Sequence, residues 1–389
     1  MCICMIFNFS SVLAEDADTE LTEKEIVEAV GTGSVKNIRA KSAMVYDRKY
    51  HQILYEKNID EELPNASTTK ILTAIVAYEN ANMNDLVSVS AEAARIGGST
   101  IGLRMGNKVL LGDLLKGLLI CSGNDAAIAI AEHVGGSVEN FANMMNQKAL
   151  ELGAYHTSFV TPHGLDNDEH YTTARDLITF ADYLLQIPYL SEIVATRFTT
   201  IKIDENIREL RTTNEMLSIY SNAKGVKTGY TGKAGRCLVT AVESGDREII
   251  TVVLGCETKK QRTSESIWLI QHGFQSFEEV DLYEKMKHSF EILVEKAAQK
   301  EHVIEVYDKK MVLLPVHEKE KITYEYHLLN HLVAPLKKEE NVGEAIVKIN
   351  GVVFDTFPIK ISYEIPRKTV LDYLKEMMKH QIVYTQIRV

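Results

Sequence analysis

Apolar residues recur at intervals of three and four in four stretches: STTKILTAIVAYEN from Ser67, LGDLLKGLLIC from Leu111, NDAAIAIAEHV from Asn124 and ENFANMMNQKALELG from Glu139. This spacing predicts buried helices and a middle region that is mostly helical. Strand signals flank it. Arg39 to Asp47 and Gln52 to Lys57 read as two short strands joined by a polar turn, and from Lys224 the runs KGVKTGY, GRCLVTAVES and REIITVVLGC are β-rich and punctuated by glycine. A further helix is expected over Ser264 to Gly273. Helices enclosed by early and late strands predict one α+β domain over residues 38–278.

Beyond it, VIEVYDKKMVLLPV, KITYEYHLL and EAIVKINGVVFDTFPIKISYEI are strand-like, carry the turn pair Asn350-Gly351 and predict a small all-β domain over 279–366. In residues 367–389, Val370, Leu371, Leu374, Met377 and Met378 fall on one helical face, and five basic residues stand against two acidic ones. Two readings stand side by side: a helix lying in a membrane interface, or a short helix packed on the β domain.

A length of 389 residues favours two domains over one core. With 43 Lys and Arg against 54 Asp and Glu, the net charge of −11 leaves no basic excess to neutralise phosphates, which argues against a nucleic-acid binder. Attraction to an anion must be local. Residues 1–14, MCICMIFNFSSVLA, read as a signal peptide ending in Val12-Leu13-Ala14. No Lys or Arg precedes Lys24, so the positive start of such a signal is missing, and an unprocessed apolar tail is the other reading. Residues 15–37 are polar and acidic, as expected of a lead-in. Of five cysteines, Cys2 and Cys4 would leave with the leader, and Cys121, Cys237 and Cys256 imply no disulfide framework. No later stretch reaches the roughly 20 apolar residues of a membrane span, so a soluble or peripherally attached mature protein is expected.

Ser67-Thr68-Thr69-Lys70 places a hydroxyl and an amine on one face of a helix start, where a buried neutral lysine can take the serine proton. Alone the pattern decides nothing, because Ser221-Asn222-Ala223-Lys224 has it too. The first copy opens an apolar helix that would fix the pair and desolvate the amine, whereas the second precedes a glycine-punctuated β run. Ser122-Gly123-Asn124 follows an apolar helix, and Lys227-Thr228-Gly229 lies inside a β run. In this order the three motifs are a set known from β-lactamases and penicillin-binding proteins, with Gly123 where Ser-Asp-Asn has its aspartate.

With the neighbouring segments LPNASTTKILTAIVA, LLGDLLKGLLICSGNDAAIAIAEHVGG, LGAYHTSFVTPHGLD and GVKTGYTGKAGRCLV, the chain resembles the low-molecular-weight penicillin-binding proteins of the D-alanyl-D-alanine carboxypeptidase family. The likeness is strong over Ile38 to Phe274 and weaker over the β domain. It implies a β-lactamase/transpeptidase-like catalytic domain, an antiparallel sheet with a helical cluster. It also implies a reaction: Ser67 attacks the penultimate D-alanine carbonyl of a peptidoglycan stem peptide and expels the terminal D-alanine, with Lys70 as base and Ser122 relaying a proton. By the same resemblance Asn124 holds the substrate backbone, Lys227, Thr228 and Gly229 receive the terminal carboxylate, and the N–H groups of Ser67 and Tyr230 form the oxyanion hole. β-Lactams would acylate Ser67.

Arg262 is positioned like a family arginine near the carboxylate site or is a solvent-facing helical arginine, and His163, in PHGL, is expected to be structural. Cys121 reads as a small buried hydrophobe. No motif calls for a metal, nucleotide or other cofactor. The expected location is the outer face of the cytoplasmic membrane. A β-lactamase, a D,D-endopeptidase and an inactive wall-binding protein are the alternatives.

Overall fold

The computed structural model describes residues 22, 24–25, 37–305, 309–318, 321–375 and 377–378. The proposed leader 1–14, nearly all of the lead-in 15–37 and the tail beyond 378 lie outside them. The chain divides after Ser276 into two compact units, two residues before the boundary expected from the sequence.

The first unit is built on five strands: β1 (Ser42–Asp47), β2 (Gln52–Lys57), β7 (Ala223–Thr231), β8 (Gly235–Ser244) and β9 (Arg247–Cys256). They form an antiparallel sheet in the order β2-β1-β9-β8-β7. Burial runs without alternation through Cys237–Val242 and Ile249–Leu254, as it must where both faces of a strand are covered. Helices α6 (Ala174–Gln186) and α9 (Lys259–Gln275) pack on these strands. The last of them is a full turn longer at its start than the sequence suggested, because Thr258 caps it by accepting a hydrogen bond from Gln261 N.

The helical cluster centres on α1 (Lys70–Asn80), in which Lys70 to Ala77 are buried in succession. A helix apolar all round has no face to give to water and becomes a core helix. Here α3 (Leu111–Ile120), α4 (Asn124–Gly135), α5 (Val138–Glu151) and α6 enclose it. Ser67 lies in the 3-10 turn Ala66–Thr69 that leads into α1, so the expected helix start is split between two helix types.

The middle region is less uniformly helical than its apolar spacing suggested. It contains the hairpin β3 (Leu86–Ser88) with β4 (Lys108–Leu110) and the hairpin β5 (Phe198–Ile203) with β6 (Asn206–Arg211). The first pair is three residues a side, too short for a periodic signal. The second is mostly exposed and carries little apolar alternation. The remaining elements are α2 (Ala91–Arg95), α7 (Pro188–Val194) and α8 (Met216–Ile219).

The second unit is all β, with strands β10 (Phe277–Asp281), β11 (Ser289–Glu295), β12 (Glu301–Glu305), β13 (Met311–Pro315), β14 (Ile322–Leu328), β15 (Leu332–Val333), β16 (Asn341–Ile349) and β17 (Val352–Lys360). Strand β11 alternates strictly between exposed and buried positions, and the buried set joins Leu282, Val347 and Ile361 in a core of its own. Asn350 and Gly351 both take positive φ, 54° and 78°, in the β16–β17 hairpin, the turn their pairing in sequence announces.

Candidate active site

Lys70 is the first residue of the buried helix α1, and its amine reaches four groups from three other segments. Nζ lies 2.7 Å from Ser67 Oγ, 2.7 Å from Asn124 Oδ1, 3.0 Å from the His163 carbonyl oxygen and 3.5 Å from Ser122 Oγ. Burial, and then the charge of nearby Lys227, hold the Lys70 amine well below the ordinary lysine value, against a smaller pull from Asp125. A neutral amine has two N–H donors and one lone pair. The carbonyl oxygens of Asn124 and His163 only accept, so in the neutral form they would take the two donors and leave the lone pair for the Ser67 hydroxyl. Asn124 is fixed in the required orientation because its Nδ2 donates to Gly97 O at 2.7 Å.

Ser122 and Asn124 come from the break between α3 and α4. Ser122 sits at φ 61°, a conformation that costs a non-glycine residue about 1–3 kcal/mol and persists only where the surroundings enforce it. The enforcement is visible: Gly123 N donates to Gly117 O and Asn124 N to Ser99 O. Asp125 then accepts hydrogen bonds from the N–H groups of Ile101, Gly102, Leu103 and Ala126. Ala66, one residue before Ser67, is also at positive φ, 48°.

Two buried histidines support the turn that carries Ser67. His170 Nδ1 accepts from Val160 N, which leaves Nε2 to donate to Thr69 Oγ1 at 2.8 Å, while Thr69 Oγ1 donates to Ala66 O. Burial pushes this ring down to about 4 and the His163 ring down to about 3. His163 meets Lys70 through its backbone carbonyl, and its ring Nδ1 accepts from Leu165 N at 3.1 Å. The neighbouring Gly164 sits at φ +82°, and a Cβ there would lie 1.9 Å from Ala66 O. Only glycine lets this loop close on the Ser67 turn.

Strand β7 forms the other wall. A Cβ at Gly229 would fall 3.1 Å from Ser67 N, so the Lys-Thr-Gly segment runs beside the amide of Ser67, and Tyr230 follows it. Lys227 is buried, donates to Thr228 O at 3.1 Å and is pushed down to about 7 by burial, with Arg262 adding to the fall and Cys121 opposing it. The Thr228 hydroxyl is 2.7 Å from that of Thr213. Arg262 is 3% exposed, so it is not solvent-facing; it pairs with Glu215. Burial works to raise the Glu215 carboxyl, but Arg262 and Thr263 outweigh it and hold the group below its ordinary value.

Together Ser67, Ser99, Ser122, Thr213, Thr228, Gly229, Tyr230, Arg236, Lys259 and Arg262 line a cavity of about 390 Å³. The rival pair is elsewhere: Ser221 is exposed, and Lys224 pairs with Glu243 at 2.7 Å. Cys121 is half-buried rather than buried, with Sγ donating to Arg211 O at 3.4 Å, and burial raises its thiol. Asp125, Gly164, His170 and Glu215 escaped the sequence reading because each acts by position, outside any motif.

Residues 29–258 match the family described as D-alanyl-D-alanine carboxypeptidase. The chain belongs to that family. Residues 277–367 match the C-terminal domain of penicillin-binding protein 5. The chain is 32% identical to the D-alanyl-D-alanine carboxypeptidase DacF of Bacillus subtilis (strain 168), over 87% of this chain and 89% of the relative. It is 30% identical to the D-alanyl-D-alanine carboxypeptidase DacA of Escherichia coli (strain K12), over 89% of each. Among solved structures it is similar to the D-alanyl-D-alanine carboxypeptidase DacD from Francisella tularensis, with a TM-score of 0.73, 25% identity and coverage of 87% of this chain and 96% of that one. Penicillin-binding protein 5 from Haemophilus influenzae superposes with a TM-score of 0.68 and 27% identity, covering 86% of this chain and 99% of that one. The family is one of serine hydrolases with the two-part architecture seen here, an α+β catalytic unit followed by a β-rich one.

Proposed function

We propose that this D-alanyl-D-alanine carboxypeptidase works by acyl transfer through Ser67, and that its substrate is the pentapeptide stem of peptidoglycan. The observation that carries this reading is the surroundings of Lys70 Nζ: two acceptor-only carbonyl oxygens at 2.7 and 3.0 Å and Ser67 Oγ at 2.7 Å, so that a neutral amine would turn its lone pair to the serine hydroxyl. The Ser67 proton passes to Lys70 as Oγ attacks the penultimate D-alanine carbonyl. The negative oxygen is received by the N–H groups of Ser67 and Tyr230; one such donor is typically worth about 2.7–4 kcal/mol. Ser122, 3.5 Å from Lys70 Nζ, carries the proton on to the departing D-alanine nitrogen. Water then hydrolyses the acyl-enzyme and regenerates Ser67.

Asn124 holds the substrate backbone, and Lys227, Thr228, Gly229 and Arg262 receive the terminal carboxylate, which gives a chain of net charge −11 its local site for an anion. A β-lactam presents a strained amide to the same serine and is expected to remain attached. No Asp or Glu is among the described residues that line the cavity, which favours slow deacylation over the rapid turnover of a β-lactamase. The test compares products. Release of D-alanine from a muramyl pentapeptide, with penicillin turned over slowly, is expected; rapid penicillin hydrolysis without D-alanine release contradicts the reading. A cross-linked dimer peptide in the same assay measures any D,D-endopeptidase activity.

Residues 1–14 direct export in this reading, and the enzyme works on the outer face of the cytoplasmic membrane. Support for peripheral attachment comes from helical residues 370–375 and 377–378, where Val370, Leu371, Leu374, Met377 and Met378 are all exposed. A helix packed on the β unit by its apolar face would bury them, so the interfacial reading is favoured. No helix of the described residues is long and apolar enough to cross a membrane.

A further inference from the structure

Glu215 belongs to none of the three motifs and is not among the described residues that line the cavity, yet it is paired with Arg262, which does line it. It stands at the head of α8 in a segment fixed by its backbone: Thr213 N donates to Ile120 O at the end of α3, Met216 N to Asn214 Oδ1, and Ser218 N to Glu215 O. The same segment sets the Thr213 hydroxyl 2.7 Å from that of Thr228. Within three residues it therefore touches both the Lys-Thr-Gly strand and the arginine assigned to the substrate carboxylate.

The pair is joined at one point. Glu215 Oε1 accepts from Arg262 Nη2 and from Thr263 Oγ1, while among the described residues Glu215 Oε2 and Arg262 Nε are buried without a hydrogen-bond partner. A bidentate pair would match two N–H donors with two oxygens. Here each group keeps an atom unmatched, so Glu215 offsets the charge of Arg262 without occupying the whole of its fork. Burial works against ionisation of Glu215, but Arg262 and Thr263 hold its carboxyl below the ordinary value, so the negative charge is present at neutral pH. A carboxylate behind the guanidinium repels a carboxylate in front of it. For two unit charges about 7 Å apart at an effective dielectric of about 20, that repulsion corresponds to about a 50-fold weaker affinity, which screening reduces.

We propose that Glu215 is a positioning residue that holds Arg262 by its hydrogen bond and, by its charge, keeps the grip of Arg262 on a terminal carboxylate weak, so that substrate and released D-alanine are both held less tightly than Arg262 alone would hold them. The inference rests on the carboxypeptidase reading, in which Arg262 receives the terminal carboxylate, and adds to it an opposing charge that the motifs do not contain. The consequence is turnover: the departing D-alanine carries the same carboxylate by which the substrate was bound, and it has to leave.

The experiment uses the full chain, E215Q and E215D, with an N-acetylated peptide ending in D-Ala-D-Ala as substrate and free D-alanine as inhibitor. Glutamine keeps an acceptor for Arg262 and loses the charge, whereas aspartate keeps the charge. In E215Q, KM is expected to fall about 5- to 50-fold with kcat within about threefold, and D-alanine inhibits at a concentration lower by a similar factor. E215D shows no such fall. Stoichiometric labelling by saturating penicillin verifies that each variant is folded; if E215Q does not take up label, E215S, smaller and still an acceptor, is read in its place for the same fall. An unchanged or raised KM in the labelled variant overturns the inference, a rise meaning that Glu215 only supports the loop, and so does an equal fall in E215D. Failure of the unmodified enzyme to release D-alanine contradicts the carboxypeptidase reading instead.

Discussion

Replacing Lys70 by alanine is expected to slow acylation of Ser67 by a labelled penicillin by about 10²- to 10⁴-fold, the usual worth of a positioned general base. The enzyme has no second amine in contact with Ser67 among the described hydrogen bonds; Lys227 reaches its own strand, at Thr228 O. The fold is expected to survive, because the eight buried positions of α1 include seven besides Lys70, Ile71 to Ala77, which continue to hold the helix among its neighbours. Stopped-flow or gel-based labelling measures the rate, and circular dichroism measures the fold. Acylation at the normal rate in a folded Lys70→Ala variant contradicts the assignment of the base.

A second large effect is expected at a residue with no functional group. In Gly164→Ala the new Cβ would lie 1.9 Å from Ala66 O and 2.6 Å from Thr69 Oγ1, so backbone has to move. The groups displaced are the turn that carries Ser67 and the His163 carbonyl that accepts from Lys70. A shift of about 1 Å in such a constellation costs on the order of 10²-fold in rate. Steric overlap and positive φ together are expected to cost about 2–4 kcal/mol of stability. Gly153→Ala is the control: its φ is also +82°, but nothing lies within 4 Å of its Cβ, so it is expected to lose about 1 kcal/mol and keep its activity. Chemical denaturation and D-alanine release on both variants decide it. Equal behaviour of the two contradicts the close approach of the 163–164 loop to the nucleophile turn.

How far these features could be read in advance depended on whether they leave a periodic or motif signal. The strands Gln52–Lys57 and Arg247–Cys256 and the central helix were legible because burial on one or both sides imposes a run of apolar residues. Hairpin β5–β6 was not, because its exposed faces have no such requirement. In the site, Ser67, Lys70, Ser122, Asn124, Lys227, Thr228 and Gly229 stand in three recognisable tripeptide or tetrapeptide patterns; the structure brings Ser67, Ser122, Thr228 and Gly229 to one cavity, sets Lys70 and Asn124 in contact beside Ser67, and buries Lys227 against its own strand.

The support around them has no such signature. Asp125 holds the loop Ile101–Leu103 by accepting from its backbone N–H groups, and backbone donors write nothing into the sequence. His170 reaches Thr69 across 101 positions of chain, and Arg236 meets Tyr230 only through strand register. The repeated Ser-x-x-Lys pattern makes the same point from the other side: Ser221 and Lys224 have the right spacing but lack the helix burial that dries Lys70.

The central claim is that Ser67 is the acylated residue. Mass spectrometry of the intact protein after brief penicillin treatment, followed by peptide mapping, tests it most directly. One adduct per chain, located on the peptide containing Ser67 and absent from Ser67→Ala, is the predicted result. An adduct on Ser122 or Ser221, or undiminished labelling of Ser67→Ala, would contradict it.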